Sequence, residues 1–443
     1  MAVRRLVAWP DDDQQPDPRA RRHYRHNFTV HFIDGVFALA GIAALGIHTI
    51  VPGLLHEVAE RYPHLAPIEN RLATAATVAF AGLGPLAAFL LAGWSESDRV
   101  RKPKFLKWAV LSRLAFPLVA LATAALGQHG LGLFLVLFYL GLSLRSLADG
   151  AVRTQWLDFI GRQIPATRRG ILLGGRSAVG ILIGVGIVAA FPALSRRVDF
   201  PYNYALLFLL AALLYGASFV SLARMREIPY SEEEIRPRRH PWARLRENLA
   251  LVGEDPVFRN LLIATAIANL LTMATSSLVT LKALRVLDLS GAAIVGFTSL
   301  VTMCLTISQA VASPAMGVAA DRLGYKRLGY ITYTVLIVAL GVALTSQAAW
   351  GFLISIALFA FVQSGRGLIE LNMVLEVAPE DRRPSYVGVR ALSSLPALFM
   401  PIVGGWIADR TGHDTVFWAG IALAIVSIVA FRALVYEPRD HQP

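Results

Sequence analysis

Residues 165–176 read PATRRGILLGGR, and residues 379–390 read PEDRRPSYVGVR. The second stretch follows the first after 214 positions and keeps five of its residues in register. The matched pairs are Pro165 and Pro379, Arg168 and Arg382, Arg169 and Arg383, Gly174 and Gly388, and Arg176 and Arg390. Each basic stretch lies between two long apolar stretches. The chain is therefore predicted to repeat one structural plan in its two halves.

The composition around this repeat decides the class of protein. Hydrophobic residues make up 55% of the 443 positions, and charged residues make up only 16%. Ordinary soluble domains carry about 25% charged residues, so a soluble protein this apolar would lack the polar surface to cover its core. The same figures exclude disordered, collagen-like and coiled-coil chains. The remaining class is a polytopic membrane protein, in which each spanning helix needs about 20 mainly apolar residues.

Twelve such spans are predicted, six on each side of a polar segment. Their approximate bounds are 28–54, 71–93, 107–127, 131–160, 170–194, 203–224, 258–283, 290–316, 328–346, 349–374, 386–408 and 414–434. The predicted fold is all-α, with twelve transmembrane helices in two pseudo-symmetric six-helix bundles. The expected domains are a disordered N-terminal segment at 1–26, bundles at 27–224 and 258–435, a cytoplasmic linker at 225–257 and a tail at 436–443.

The basic residues set the expected orientation in the membrane. Lys and Arg outnumber Asp and Glu by 42 to 30, which gives a net charge of +12. This excess falls in alternate short loops between the spans, which is the positive-inside pattern. The pattern argues against a nucleic-acid-binding protein. It predicts a multi-pass protein of the plasma membrane with both termini in the cytoplasm.

The sequence carries no signature of an enzyme. Its single cysteine, Cys304, excludes an intramolecular disulfide and a cysteine-based metal site. The sequence has no histidine and glutamate spacing for a metal, no nucleophile elbow and no phosphate-binding loop. We therefore expect no catalysis, no cofactor and no metal. Any energy that the protein uses must come from an ion or substrate gradient.

A second informative stretch, GVAADRLGYKR, occupies residues 317–327 after the eighth span. It resembles the cytoplasmic G-x-x-x-D-R-x-G-[RK]-[RK] motif of the major facilitator superfamily through Gly317, Asp321, Arg322, Gly324, Lys326 and Arg327. The resemblance covers about residues 27–435. It implies secondary transport by alternating access, with the ligand site between the halves. For this loop it implies a gate latch that stabilises the outward-facing state, and a loop that only fixes topology is the alternative.

Each residue type in this loop has a physical role. Gly317 permits close helix approach, and Asp321 can accept hydrogen bonds from a helix N-terminus such as that of the eleventh span. Gly324 permits the turn. The corresponding first-half loop, GWSESDRVRK at 93–102, departs from the motif because its glycine-to-aspartate spacing is one residue longer. Further stretches are similar to a little-characterised bacterial subgroup of the superfamily, at 27–35, 156–170 and 401–412.

Asp34 and His31 are the candidates for proton coupling. Charged residues inside a span are costly and usually face a cavity or a partner. Asp34 lies about two turns into the first span, and His31 precedes it by one turn on a similar face. A desolvated carboxylate there can bind and release a proton. The alternative is that Asp34 only neutralises a basic group such as Arg25 or Arg153.

The fourth span carries Arg145, Asp149 and Arg153 at spacings of four residues, which puts them on one helix face. This ladder leaves one positive charge in excess. The excess charge can serve an anionic ligand, or the ladder can be an ion-pair strut between helices. Both interpretations stay open at this point.

The tenth span is the repeat counterpart of the fourth and carries Gln363, Arg366 and Glu370. Arg366 is the residue expected to hold a carboxylate or phosphate, because its planar fork suits those groups. A pairing of Arg366 with Glu370 alone is the alternative. Asn269 in the seventh span is a further candidate for the cavity.

The sequence thus favours a secondary active transporter that moves a small organic solute by alternating access, coupled to protons. Arg145, Arg153 and Arg366 favour an anionic or zwitterionic solute. The expected partners are this small-molecule substrate, protons and the lipid bilayer, with no nucleic acid and with the chain acting as a monomer. The alternatives are a non-transporting sensor or scaffold of the same fold, and a lipid or drug exporter.

Overall fold

A computed structural model describes residues 18–91, 98–127, 130–232, 252–378 and 394–435, together with residues 235, 250, 386, 389 and 390. Most of these residues are helical, and none of them lies in a β-strand. The predicted N-terminal disorder up to residue 17, most of the linker and the predicted tail fall outside the described residues.

Long α-helices account for most of the described chain. In the first half they are α1 (Pro18–Leu45), α2 (Ile50–Arg61), α3 (Glu69–Thr77), α4 (Leu83–Leu91), α5 (Lys102–Ala125), α6 (Leu131–Gln163), α7 (Ala166–Ser195) and α8 (Tyr202–Ala223). In the second half they are α9 (Pro256–Asn269), α10 (Ser276–Val286), α11 (Ala292–Leu323), α12 (Tyr325–Thr345), α13 (Ala349–Val377), α14 (Leu395–Thr411) and α15 (His413–Leu434). Short 3₁₀ segments lie at Pro63–Ile68 and Leu270–Met273, and a π-helical turn lies at Val78–Gly82.

These helices confirm the all-α membrane fold. Among the described residues, 11 helical segments are long and apolar enough to cross a membrane. The 17-residue helix α14 supplies the remaining span of the predicted twelve. The first span is longer than predicted, because α1 and α2 together form an apolar segment over Arg22–Arg61. The ninth and tenth spans are separate, as predicted, since α12 ends at Thr345 and α13 begins at Ala349.

The outward faces of the helices are apolar. Leu182, Trp350 and Val136 are 71%, 69% and 65% exposed, although a soluble protein would bury most side chains of this kind. Such faces are suited to lipid tails. Asp34, His31 and Arg145 are instead buried among the helices, which is where intramembrane polar and charged groups are tolerated.

The chain divides into two compact units. The first unit comprises residues 1–45 and 79–239, and the second comprises residues 46–78 and 240–443. A segment of the first two spans, residues 46–78, therefore packs with the second half of the chain. The predicted bundle boundaries near 224 and 258 remain predictions, because the linker between them lies largely outside the described residues.

Both ends of the 46–78 segment coincide with irregular backbone. Helix α1 ends at Leu45, and Gly46 follows with a φ of +52°. At the other end, the π-helical turn Val78–Gly82 separates α3 from α4. π-Helical turns inside α-helices are frequent at functional sites. The first two spans thus change their helical geometry where the chain passes from one unit to the other.

Candidate functional site

In the first unit, the Asp34 side chain is buried within helix α1 and contacts three polar groups. The Ser218 hydroxyl of α8 donates a hydrogen bond of 2.6 Å to Asp34 Oδ1. Arg176 of α7 lies 3.6 Å from Asp34 Oδ2, and Arg113 of α5 lies 3.9 Å from Oδ1. Two guanidinium groups therefore share one carboxylate. We call Asp34, Arg113 and Arg176 the first-unit cluster.

The position of Arg176 depends on a glycine. A Cβ atom built on Gly35 would overlap the Arg176 guanidinium, so only glycine lets this side chain cross helix α1 at that point. Arg176 also donates a hydrogen bond of 3.3 Å to the His31 carbonyl, and its guanidinium lies 4.7 Å from the Trp156 ring centroid. Gly35 thus leaves the space that the Arg176 guanidinium occupies, and the neighbouring Asp34 carboxylate neutralises its charge.

His31 is fully buried beside the first-unit cluster. Its Nε2 lies 3.1 Å from the Gln163 side-chain oxygen at the end of α6. Within the described part of the chain, His31 Nδ1 and Gln163 Nε2 have no hydrogen-bond partner. Buried polar atoms without partners are rare and call for an explanation. His31 and Asp34 both lie on α1 in the first unit, and the partners of Asp34 are Arg113 and Arg176 rather than Arg25 or Arg153, which are exposed.

Arg145, Asp149 and Arg153 on α6 differ in their surroundings, although their spacing predicts that they share one helix face. Arg145 is buried, donates a hydrogen bond of 2.8 Å to the Phe80 carbonyl and lies 3.8 Å above the Phe80 ring. Asp149 lies 3.5 Å from Arg145, whereas Arg153 is exposed. Arg145 and Asp149 therefore pair one turn apart on the same helix, so the strut between helices and the ligand contact both stay predictions.

In the second unit, Arg366 of α13 lies among three polar groups. It donates a hydrogen bond of 3.0 Å to the Asn269 side-chain oxygen and lies 3.5 Å from Glu370. Arg390 lies 2.7 Å from the other oxygen of Glu370. Two guanidinium groups again share one carboxylate. We call Arg366, Glu370 and Arg390 the second-unit cluster.

A small cavity of about 10 Å³ adjoins the second-unit cluster, which is room for about one water molecule. Its walls are formed by Thr265, Ala268, Asn269, Tyr333, Arg366, Ile369 and Glu370. Gln363, the remaining candidate on α13, accepts a hydrogen bond of 2.7 Å from Gln309 instead. The structure therefore brings the candidates Asn269, Arg366 and Glu370 together and pairs Gln363 with α11.

The internal repeat recurs in these contacts. Arg176 and Arg390 are repeat counterparts at the offset of 214, and the same offset relates Trp156 to Glu370. Arg176 lies on the Trp156 ring and Arg390 pairs with Glu370. The same helix-to-helix contact is thus built in both halves, once with an aromatic acceptor and once with a carboxylate.

The 317–327 loop has the turn that its sequence predicts. Helix α11 ends at Leu323, and Gly324 has a φ of +82° before α12 begins. Asp321 and Arg322 are exposed. The predicted start of the eleventh span, near residue 386, falls in a stretch that lies mostly outside the described residues, so the contact of Asp321 with that helix stays a prediction. At Gly317 the predicted close approach is not seen, since no atom of the described residues lies within 4 Å of a built Cβ.

The end of the first unit where the predicted linker begins has a further polar cluster. The Tyr230 hydroxyl donates a hydrogen bond to Asp158, and its ring lies 3.6 Å from the Arg101 guanidinium and 4.3 Å from that of Arg162. Arg101 also pairs with Asp158 at 2.8 Å. Burial, together with the Asp158 carboxylate, raises the pKa of Tyr230. These contacts fasten the start of the linker to α5 and α6.

Sequence reasoning missed Arg113 and Arg176, although a signal existed for both. Each is an arginine about six residues inside a predicted apolar span. Arg176 entered the prediction only as a matched position of the internal repeat, and Arg113 was not predicted. Gln163 and Ser218 gave no signal, because polar residues of these types are common at helix ends and in helix packing.

Comparisons with known proteins agree with this architecture. The sequence profile described as Major Facilitator Superfamily matches residues 294–443. Among solved structures, the D-xylose-proton symporter matches with a TM-score of 0.67 at 15% identity, over 93% of this chain and 98% of that chain. The nucleoside transporter NupG matches with a TM-score of 0.65 at 12% identity, over 92% and 100%. The human organic anion transporter MFSD10 matches with a TM-score of 0.60 at 15% identity, over 92% and 99%.

A search of curated proteins by sequence gives no match. The fold and the buried clusters define a polytopic helical membrane protein with charged groups inside both of its units. The profile of the major facilitator superfamily matches residues 294–443, and the fold matches that of solved transporter structures over more than nine-tenths of the chain.

Proposed function

We propose that the protein is a proton-coupled secondary transporter that moves a small organic anion across the membrane by alternating access. The observation that carries the proposal is the presence of a charge cluster inside each of the two units. Intramembrane charges are expensive, and they mark substrate and ion pathways.

The charge count supports an anionic substrate. Each cluster holds two guanidinium groups, which stay protonated in proteins, and a single carboxylate. One positive charge per cluster is therefore left over when the carboxylate is ionised. Planar guanidinium groups bind carboxylate and phosphate through paired hydrogen bonds. An anion of that kind would offset the excess charge at Arg366, beside the small cavity.

The surroundings of Asp34 support a proton-coupling role. Arg113 Nε and Nη1 are buried and have no hydrogen-bond partner among the described residues. When Asp34 is protonated, Arg113 and Arg176 lose the negative charge they share, so the net positive charge inside the protein rises and favours the binding of an anion. Binding of a proton and binding of an anion would then favour each other, which is the condition for moving both in one direction.

The fold matches give a precedent for each part of the proposal. One matched structure is named as a symporter of a solute with protons, and another as an organic anion transporter. Those activities belong to those proteins. For this chain the support comes from the clusters, because identities of 15% and below leave the substrate undefined.

A ligand screen tests the proposal. The purified protein is heated with carboxylates, phosphates, sulfonates, sugars, nucleosides, amino acids, lipids and cationic drugs at two pH values. A ligand at 100 times its Kd adds about 2.7 kcal/mol to the free energy of unfolding, which a thermal shift resolves. We expect anions to stabilise the protein, more strongly at the lower pH.

A matched pair of variants locates the binding. The stabilisation should disappear in Arg366→Ala and persist in Arg432→Ala, which removes an exposed arginine at the end of α15. Stabilisation by cations or neutral lipids alone would contradict the anionic assignment. A folded protein that responds to no compound would favour the sensor or scaffold instead.

A further inference from the structure

The second half of the chain carries the sequence G-x-x-A-D-R-x-G twice. The first copy, at 317–324, belongs to the loop already described, and the second copy lies at 405–412. The shared residues are Gly317 and Gly405, Ala320 and Ala408, Asp321 and Asp409, Arg322 and Arg410, and Gly324 and Gly412. Five identities within eight positions make the second copy a motif rather than a chance match.

The two copies also share one backbone geometry. Gly324 ends α11 with φ and ψ of 82° and 164°, and Gly412 ends α14 with φ and ψ of 90° and 165°. The Gly324 amide donates to the Ala320 carbonyl at 2.9 Å, and the Gly412 amide donates to the Ala408 carbonyl at 3.0 Å. Three spans, α12 to α14, separate the two glycines. An odd number of crossings puts the two copies at opposite faces of the membrane.

The aspartate of the second copy caps a helix from the first half of the chain. Helix α3 begins after Ile68, which has no side-chain oxygen to accept the first free amides of the helix. Asp409 of α14 accepts them instead, from Asn70 at 3.0 Å and from Arg71 at 3.3 Å. It also accepts a hydrogen bond of 2.7 Å from Arg71 Nε. A negative charge at a helix N-terminus is stabilising, and here the Asp409 side chain is only 1% exposed.

The first glycine of the second copy makes this contact close. A Cβ atom built on Gly405 would lie 2.7 Å from the Asn70 carbonyl oxygen and 2.9 Å from Arg71 Cα. Such distances leave no room for any side chain, because they fall on backbone atoms. Helix α14 therefore approaches α3 at the minimum separation that glycine permits.

Further polar contacts surround this junction in the second unit. His413 Nε2 lies 2.9 Å from the Asn70 side-chain oxygen. Glu69 accepts a hydrogen bond of 2.7 Å from Arg285 and lies 2.9 Å from His56 Nδ1. The capping contact is thus the centre of a polar network that attaches residues 46–78 to the second half.

We propose that this second copy of the motif, with Asp409 on the N-terminus of α3, is a latch that holds the transporter closed on the face opposite the 317–327 loop. This inference rests on the proposed alternating access, in which each face opens in turn. Opening that face requires α3 to leave α14, so the capping contact forms and breaks once in each cycle. The protein then carries one copy of the motif at each face. The relative strengths of the two latches set the equilibrium between the outward-facing and inward-facing states.

Cysteine accessibility tests the latch without any substrate. Ser277 of α10 is fully buried and is covered from the 46–78 segment by Thr77 Oγ1 at 3.2 Å and His48 Nδ1 at 3.3 Å. In a Cys304→Ser background, Ser277→Cys is the only cysteine of the chain. Its rate of reaction with a water-soluble maleimide reports how often the 46–78 segment moves away.

Loss of the cap should raise this rate. Asp409→Asn removes the charge-assisted contact, which shifts a two-state equilibrium by about ten-fold, and we expect the labelling rate to rise by about that factor. Gly405→Ala places a methyl group between α14 and α3, which separates the two helices, and it should also raise the labelling rate. The matched controls are Asp321→Asn and Gly317→Ala, at the same motif positions on the other face. Neither control should raise the labelling rate.

The outcomes separate the latch from the transport activity. Unchanged labelling in both Asp409→Asn and Gly405→Ala would overturn the latch, and so would an equal rise in the controls at the other face. Circular dichroism identifies a variant that has unfolded, in which case the other variant decides. If the labelling rises as expected while no anion is bound or carried, the latch stands and the proposed substrate fails.

Discussion

Asp34 in the first unit and Glu370 in the second each lie between two arginines, but the Asp34 side chain is 5% exposed and the Glu370 side chain is 31% exposed. The same three charges therefore have two different surroundings. A closed cluster of this kind suits a group that exchanges only a proton. The more open cluster, which adjoins a cavity, suits a group that meets a solute.

The difference suggests a division of labour between the repeated halves. Arg176 and Arg390 are repeat counterparts, but their partners on the preceding helix differ, with Trp156 in one half and Glu370 in the other. In the first half the carboxylate comes from helix α1 instead, where Asp34 is buried beside Ser218. The arginine therefore occupies the same repeat position in both halves, whereas the carboxylate lies on α1 in one half and on α13 in the other. The two clusters differ for this reason.

The largest expected effect comes from removing the carboxylate of the first-unit cluster. Asp34→Asn keeps the shape and the Ser218 contact but cannot exchange a proton, so uptake against a gradient should be lost completely. Accumulation in liposomes driven by a pH gradient measures this. Asp149→Asn is the matched control, because Asp149 is also an intramembrane carboxylate but pairs with Arg145. Equal loss in both variants would remove the special role of Asp34.

The second-largest effect concerns the second-unit cluster. Arg366→Ala should weaken anion binding by about ten-fold to a hundred-fold, since hydrogen bonds to charged groups contribute about 1.5–3 kcal/mol. Arg366→Lys should recover only part of this affinity, because lysine lacks the planar fork. Equilibrium binding of the anion found in the screen measures the series. Full affinity in Arg366→Ala would place the ligand elsewhere.

The third prediction concerns the packing of the Arg176 guanidinium against Gly35 of α1. Gly35→Ala puts a methyl group where the Arg176 guanidinium crosses α1, and overpacking of this kind costs about 1–3 kcal/mol. Gly174→Ala is the control on α7, because no atom of the described residues lies within 4 Å of its built Cβ. Thermal unfolding of both variants is the measurement. An equally small change in both would mean that Gly35 does not position Arg176.

The smallest effect is expected at Tyr230, at the end of the first unit where the predicted linker begins. Tyr230→Phe removes the hydrogen bond to Asp158 and should cost about 1 kcal/mol of stability. Because the pKa of Tyr230 is raised, the folded protein holds the phenol proton more tightly than the unfolded chain. The contribution is then constant at neutral pH and is lost only as the pH rises above about 10. A difference in stability that changes between pH 6 and 8 would contradict this assignment.

Much of the fold could be predicted from the sequence. Apolar length and the basic loops gave the all-α class and the twelve spans, because the bilayer imposes both. The separation of the ninth and tenth spans by SQAAWG was also correct. The packing of residues 46–78 with the second half was not foreseen, since the helix breaks at Gly46 and at Val78–Gly82 leave no interruption of the apolar pattern.

The candidate site was predicted in part. Asp34, Arg366, Glu370 and Asn269 were found because intramembrane polar residues are rare and each stands out in an apolar stretch. Their partners were not found. Spacing along one helix relates residues such as Arg145 and Asp149, whereas Arg113 and Arg176 reach Asp34 from two other helices. Contacts between helices depend on packing that no single stretch of sequence contains.

The division of labour is tested most directly by comparing net uptake with exchange in Asp34→Asn liposomes. Exchange of labelled for unlabelled anion requires binding and alternating access, but no net proton movement. The account predicts that Asp34→Asn loses accumulation and retains exchange, whereas Arg366→Ala loses both. Loss of exchange together with accumulation in folded Asp34→Asn protein would contradict it, and so would undiminished accumulation.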